Sequence, residues 1–168
     1  MQLASQGPFQ DFTLEQATEV VEQFRGQPGA LIVALHKLQE TFGYVDEAAM
    51  PMLAKLFNLS RAEVHGVTSF YHDFRRSKPG HYTIKVCQAE ACQAMGSEQL
   101  TASVKQQLGC GFHETTQDGM FTLEPVYCLG NCACAPSIMV DKQTYGRVSD
   151  KSFKALTSAL AAKVTGSK

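Results

Sequence analysis

The sequence predicts an α+β fold: an N-terminal helical bundle followed by a small α/β layer with a mixed sheet. Three observations carry this. Apolar residues recur at helical spacing through the first part of the chain, and after Ser77-Lys78-Pro79-Gly80 the pattern changes to strand-like alternation. All six cysteines lie at or beyond Cys87, so the two parts have different jobs. The expected domains are residues 1–78 and residues 79–168.

Each element has its own signal. Leu14, Ala17, Val20, Val21 and Phe24 share one face of a first helix, which Gly26 through Gly29 breaks. Residues 30–42 form a second, with Leu31, Ala34, Leu35, Leu38 and Phe42 inward and Gly43 as its stop. Residues 47–58 form a third, with Met50, Leu53, Ala54 and Phe57 as its stripe and Pro51 in the tolerant first turn. Ser60-Arg61-Ala62-Glu63 is a capping box that opens a fourth helix ending near Val67–Tyr71. The second part starts with a strand over 81–87, rich in β-formers. A helix runs from Gly96 to about Leu108, with Leu100, Val104 and Leu108 buried. Phe121–Tyr127 is a second strand, cut by Pro125, and Ser137–Asp141 a third. Gln143–Gly146 reads as a turn into a short fourth strand around Arg147-Val148-Ser149. A C-terminal helix over 151–163 turns Phe153, Leu156 and Leu160 inward. The order allows one further strand hidden among these.

Composition excludes several function classes. At 168 residues and 44% hydrophobic content the chain can bury a real core. A net charge of −1 gives no basic excess for nucleic acid. No apolar run reaches the roughly 18 residues of a membrane span. Met1–Gln6 lacks the basic and apolar regions of a signal peptide, so the cytoplasm is the expected location. Thiols stay reduced there, which turns six cysteines from a disulfide framework towards metal or redox chemistry.

Two cysteine pairs stand out. Cys87-x4-Cys92 directly follows one strand, and Cys128-x3-Cys132 directly follows the next long one. Loops leaving adjacent strand ends converge, and four thiolates from two loops can hold a zinc ion or a diiron cluster. Buried apolar thiols remain the bland alternative. The loops are longer than the tight C-x2-C knuckles of zinc ribbons, which favours a cluster whose ligands spread over two irons. Ala89, Ala91, Gly130 and Ala133 leave backbone N–H groups free to approach the sulfurs, and the helix start at Gly96 would add positive potential.

Val86-Cys87-x4-Cys92 and Tyr127-Cys128-Leu129-Gly130-Asn131-Cys132-Ala133-Cys134-Ala135-Pro136 resemble the thioredoxin-like [2Fe–2S] subunit of NADH dehydrogenase (respiratory complex I). NAD-reducing hydrogenases and NAD-dependent formate dehydrogenases have the same kind of subunit. His65-Gly66-Val67-Thr68-Ser69-Phe70-Tyr71 and Gly43-Tyr44-Val45 also look like family segments, and the resemblance spans about residues 25–160. Chain length and the Cys87–Cys92 loop look closest to the formate dehydrogenase gamma subunit. The resemblance implies a thioredoxin-like C-terminal domain without the redox C-x-x-C, holding one [2Fe–2S] cluster on Cys87, Cys92, Cys128 and Cys132. It also implies a larger partner subunit that binds FMN and NAD, with the cluster beside the flavin. No activity is expected of the chain alone; its reaction would belong to an NAD-linked oxidoreductase complex, above all one oxidising formate to CO2. Complex I and NAD-reducing hydrogenase are the alternative parents. A zinc-stabilised interaction module and a stand-alone ferredoxin are the competing functions.

Two positions depart from the family pattern. Asn131 replaces a small residue before the last ligand, where it would alter hydrogen bonding to the cluster, and Cys134 adds a thiol. Cys110, in Gly109-Cys110-Gly111, reads as a loop or core thiol. His65 and His72 would share a helix face if that helix continued, and read as structural or interface residues. Arg75-Arg76-x-Lys78 reads as solvated surface. Phe70, Tyr71 and Phe74 read as core or subunit interface. No dinucleotide-binding glycine fingerprint or phosphate loop is present, so a flavin or nicotinamide would need another chain.

Overall fold

The computed structural model describes residues 9–165. Within them the chain divides between Pro79 and Gly80 into two compact units.

The first unit is helical: α1 (Leu14–Glu22), α2 (Leu31–Phe42), α3 (Met50–Phe57) and α4 (Arg61–Phe70), with a 3₁₀ turn over Glu47–Ala49 leading into α3. Val21, Leu35, Leu38, Phe42, Leu53 and Val64 form the centre of its core. All five residues expected on the inner face of α2 are buried, and Gly43 closes that helix in the left-handed conformation at φ 85°. The glycine is also needed for space: a Cβ there would stand 2.7 Å from the Phe9 ring. α4 carries the complete capping box. The Glu63 N–H donates to Ser60 Oγ at 3.2 Å, and the Ser60 N–H donates to Glu63 Oε2 at 2.8 Å.

Three expectations for this unit change. Leu14 is half exposed, so α1 buries Ala17 and Val21 and leaves its first turn open. In α3 the buried position is Leu56, with Phe57 only partly covered. Met50, Leu53 and Ala54 are buried as expected, so the departure is confined to the last turn, just before Asn58 closes the helix in the left-handed conformation. α4 stops at Phe70, so His72 lies beyond it and shares no helix face with His65. His65 Nε2 instead meets the Arg76 guanidinium, and Lys78 pairs with Asp11 at 2.7 Å.

The second unit is built on five strands: β1 (Tyr82–Cys87), β2 (Glu114–Thr115), β3 (Phe121–Val126), β4 (Ile138–Val140) and β5 (Gln143–Tyr145). Its helices are α5 (Glu90–Ala94), α6 (Ser97–Leu108) and α7 (Asp150–Thr165). The sheet order is β2-β3-β1-β4-β5. β1 and β3 pair in parallel from Tyr82↔Phe121 to Cys87↔Val126, and the other pairs are antiparallel. Ile84, Val86, Leu123 and Ile138 from the sheet share one core with Val104 of α6 and Phe153 of α7. The sheet is mixed, as expected, and the parallel register brings the ends of β1 and β3 side by side.

β2 is the hidden strand, and α5 within the C-x4-C loop was not foreseen. β3 runs through Pro125 instead of being cut by it. The carbonyls of Met120 and Val126 accept from β1's side, and that of Leu123 from His113 on the opposite side. By strand alternation the Pro125 nitrogen points past the end of the two-residue β2, where no ladder bond is lost. The last strand is Gln143–Tyr145, not residues 147–149. The turn is Asp141-Lys142, with Asp141 at φ 50°, a left-handed conformation that aspartate tolerates. The Ala135–Pro136 bond is cis.

Candidate metal centre

The two C-terminal strand ends set the site. Cys87 is the last residue of β1, and Cys92 lies in α5, which the intervening loop forms. Both thiols are 2% exposed. The Ser97 hydroxyl donates to the Cys87 carbonyl at 2.7 Å and ties this loop to the start of α6. Beyond β3, Cys128 takes φ 98°, which non-glycine residues seldom adopt, and turns the chain sharply off the strand. Gly130 follows at φ 73°, and Cys132 opens a 3₁₀ turn over Cys132–Cys134. Cys128 and Cys132 are exposed. The site therefore has a buried thiol pair and an outer pair.

Geometry links the four sulfurs. Cys128 Sγ and Cys132 Sγ stand 3.7 Å apart. Two sulfurs on one tetrahedral metal, each at a thiolate bond length of about 2.3 Å, would be about 3.8 Å apart. Cys87 and Cys92 pack together in one small buried cluster with Ala135. The charge of Cys87 is felt at both Cys92 and Cys132. Among the described residues no three His, Cys, Asp or Glu side chains close on a single-ion position. Two linked pairs suit a diiron core, in which each pair would hold one iron.

Backbone amides surround the sulfurs. Burial pushes the Cys87 thiol up, but the N–H groups of Ala89, Cys128 and Leu129, with the Cys92 thiol, together leave its pKa lowered. Burial raises Cys92, and the Cys87 thiol adds to this; the Ser137 N–H opposes both. The neighbouring Cys128 thiol raises Cys132. The Gly130 N–H donates to Cys128 Sγ at 3.4 Å.

The remaining sequence candidates fall elsewhere. Cys110 packs in the sheet–helix core, separate from the cluster formed by Cys87, Cys92 and Ala135. Cys134 is half-buried, and its carbonyl accepts the Arg147 N–H at 2.6 Å. The Asn131 amide donates to Ser137 Oγ at 3.2 Å. α5 starts between the two cysteines of its loop, and α6 follows with Gly96 as its N-cap, where the sequence places a helix start. Sequence reasoning missed Ser137 and Gly146, which no spacing or motif marks.

Two thiol pairs on neighbouring loops at one end of a mixed sheet define a thiolate cluster protein. A family model described as thioredoxin-like [2Fe-2S] ferredoxin matches residues 17–161. The chain belongs to that family, whose cofactor is a [2Fe–2S] cluster. It is 40% identical over 119 residues to the E subunit of the NADH-quinone oxidoreductase of Pseudomonas aeruginosa, covering 71% of this chain and 72% of that one. It is 33% identical over 139 residues to the HndA subunit of the NADP-reducing hydrogenase of Solidesulfovibrio fructosivorans, covering 83% and 81%. Among solved structures, a chain of the air-oxidised NAD+-reducing [NiFe]-hydrogenase superposes at a TM-score of 0.67 with 22% identity. That match covers 80% of this chain and 23% of the hydrogenase chain, and it speaks for the fold. Among the described residues no helix is long and apolar enough to cross a membrane.

Proposed function

We propose that the chain is an electron-transfer subunit that holds one [2Fe–2S] cluster on Cys87, Cys92, Cys128 and Cys132, next to the flavin of a partner subunit. The observation that carries this is the meeting of two thiol pairs at the paired ends of β1 and β3, in a member of a [2Fe–2S] family. Bound there, the cluster would supply one-electron chemistry between its oxidised and reduced states. The protein's own part is to bury one pair, aim amides at its sulfurs and leave the other pair at the surface. Tyr127, 77% exposed beside Cys128, and Met95, 62% exposed three residues beyond Cys92, suit a contact with the flavin- and NAD-binding partner. Residues 79–168 serve as the cluster domain and residues 1–78 as an accessory helical domain. Six unpaired thiols suit the reducing cytoplasm.

We infer that the parent complex is an NAD-linked oxidoreductase, and the Cys87–Cys92 loop favours an NAD-dependent formate dehydrogenase. The Pseudomonas and Solidesulfovibrio relatives favour an NADH-quinone oxidoreductase or a hydrogenase instead. Pull-down from the native cell, followed by assay of formate-, hydrogen- and NADH-linked dye reduction, separates the three.

The cluster assignment has its own test. The anaerobically purified full chain is expected to be brown and to give a rhombic electron paramagnetic resonance signal on reduction. Alanine at any of the four cysteines should abolish or destabilise that signal, whereas Cys110→Ala should keep it. A colourless chain with one zinc per molecule would sink the proposal and support the zinc module.

A further inference from the structure

Ser137 is the residue at which the two thiol loops meet. It is 1% exposed. Its carbonyl accepts the Cys87 N–H at 3.1 Å, and its own N–H faces the Cys92 sulfur. Its hydroxyl hydrogen is shared between the carbonyls of Cys134 at 3.2 Å and Asn131 at 3.4 Å. The hydroxyl oxygen accepts from Asn131 Nδ2 at 3.2 Å. The backbone of one buried serine is thus bonded to the C-x4-C pair, and its side chain to the C-x3-C loop. A third segment closes on the same point. A Cβ on Gly146 would stand 2.6 Å from Cys134 Cβ and 2.7 Å from Asn131 Nδ2.

A serine that only satisfied its own buried hydroxyl would need one partner. Ser137 makes three hydroxyl contacts, and all go to the loop that carries Cys128 and Cys132. From this arrangement we infer that Ser137, together with Asn131, is a positioning residue for the cluster, setting the outer thiol pair against the inner pair. The inference rests on the four-thiolate reading of the proposed function. A diiron core must be gripped by both pairs at once, so play between the loops weakens the grip. Amides aimed at the sulfurs stabilise the negative charge added on reduction, so a loosened Ser137 lowers the potential.

The test uses the full chain, purified anaerobically, as wild type, Ser137→Ala, Asn131→Ala and the double variant. Leu160→Ala, a core truncation in α7, is the stability control. The readouts are midpoint potential, the g-values of the reduced cluster, and the rate of iron release to a chelator. Loss of an outer-sphere partner typically weakens metal binding about 10–100-fold, so each single variant should release iron at least about tenfold faster. Each should also show a lower potential and shifted g-values. The double variant should do no worse than Ser137→Ala, because both act through one contact. Leu160→Ala should lower the melting temperature and leave potential and g-values alone. Should Ser137→Ala fail to fold, Asn131→Ala reads the same contact without touching the serine. Wild-type values in both single variants, or the same changes in Leu160→Ala, would overturn the inference while leaving the ligand assignment standing. A wild-type chain that binds no iron–sulfur cluster would overturn both.

Discussion

The least conspicuous residues at the site are those that leave no room. Gly146 does not have a positive φ, so its lack of a side chain is about space. The atoms nearest to an added Cβ include the Cys134 carbonyl at 2.8 Å, which is backbone and cannot swing aside. Gly146→Ala should therefore push the C-x3-C loop outward. Overpacking of this kind costs about 1–3 kcal/mol. The expected outcome is a lower melting temperature together with reduced cluster occupancy, measured by iron and sulfide content. Full occupancy at wild-type stability would mean that the loop has slack there. The cysteines themselves were readable because thiolate chemistry restricts which residues can serve. Gly146 and Ser137 were not, because their roles exist only once β5 and β4 have folded back beside Asn131.

At the scale of elements, α4 offers the clearest test of local encoding. Replacing an N-cap serine by alanine costs about 1 kcal/mol, so Ser60→Ala should destabilise the chain by roughly that amount. The Glu63 carboxyl is held below the usual carboxylate range, first by the Ser60 N–H and then by its hydroxyl. A carboxyl with a lowered folded-state pKa stabilises the fold above its unfolded pKa. That contribution is lost as pH falls through the folded value. The difference in melting temperature between wild type and Ser60→Ala should accordingly be larger at pH 7 than at pH 3. A gap that is constant with pH would show that the Ser60 hydroxyl does not help hold Glu63 ionised, since the backbone N–H at position 60 survives the substitution. This capping box, the α2 stripe and the position of β1 were legible because each depends on residues close in sequence. The α3 stripe departs only at its last position, where Leu56 rather than Phe57 is buried. β3 was misread at Pro125 because only the two-residue length of its neighbour makes proline acceptable there. β5 was misplaced because Gly146 looks like a turn residue until the segment it approaches is known. The thiol pairs do follow strand ends as the sequence suggested, but α5 between Cys87 and Cys92 is too short to give a periodic signal.

At the scale of the molecule, the described residues form cores that share no member. The core around Leu35 and Phe42 draws only on the helical unit, and those around Phe153 and Cys87 only on the sheet unit. The four thiols belong wholly to the second unit. A bound group adds stability to the structure that holds it and not to one that does not. Removing iron from the full chain with a chelator should therefore lower one calorimetric transition and leave a second, belonging to the helical unit, in place. Leu53→Ala should do the reverse, because a fully buried leucine cut to alanine costs about 2–5 kcal/mol in its own core. A single transition that moves as a whole under both treatments would mean that the units fold as one and that the proposed division of labour between them is wrong.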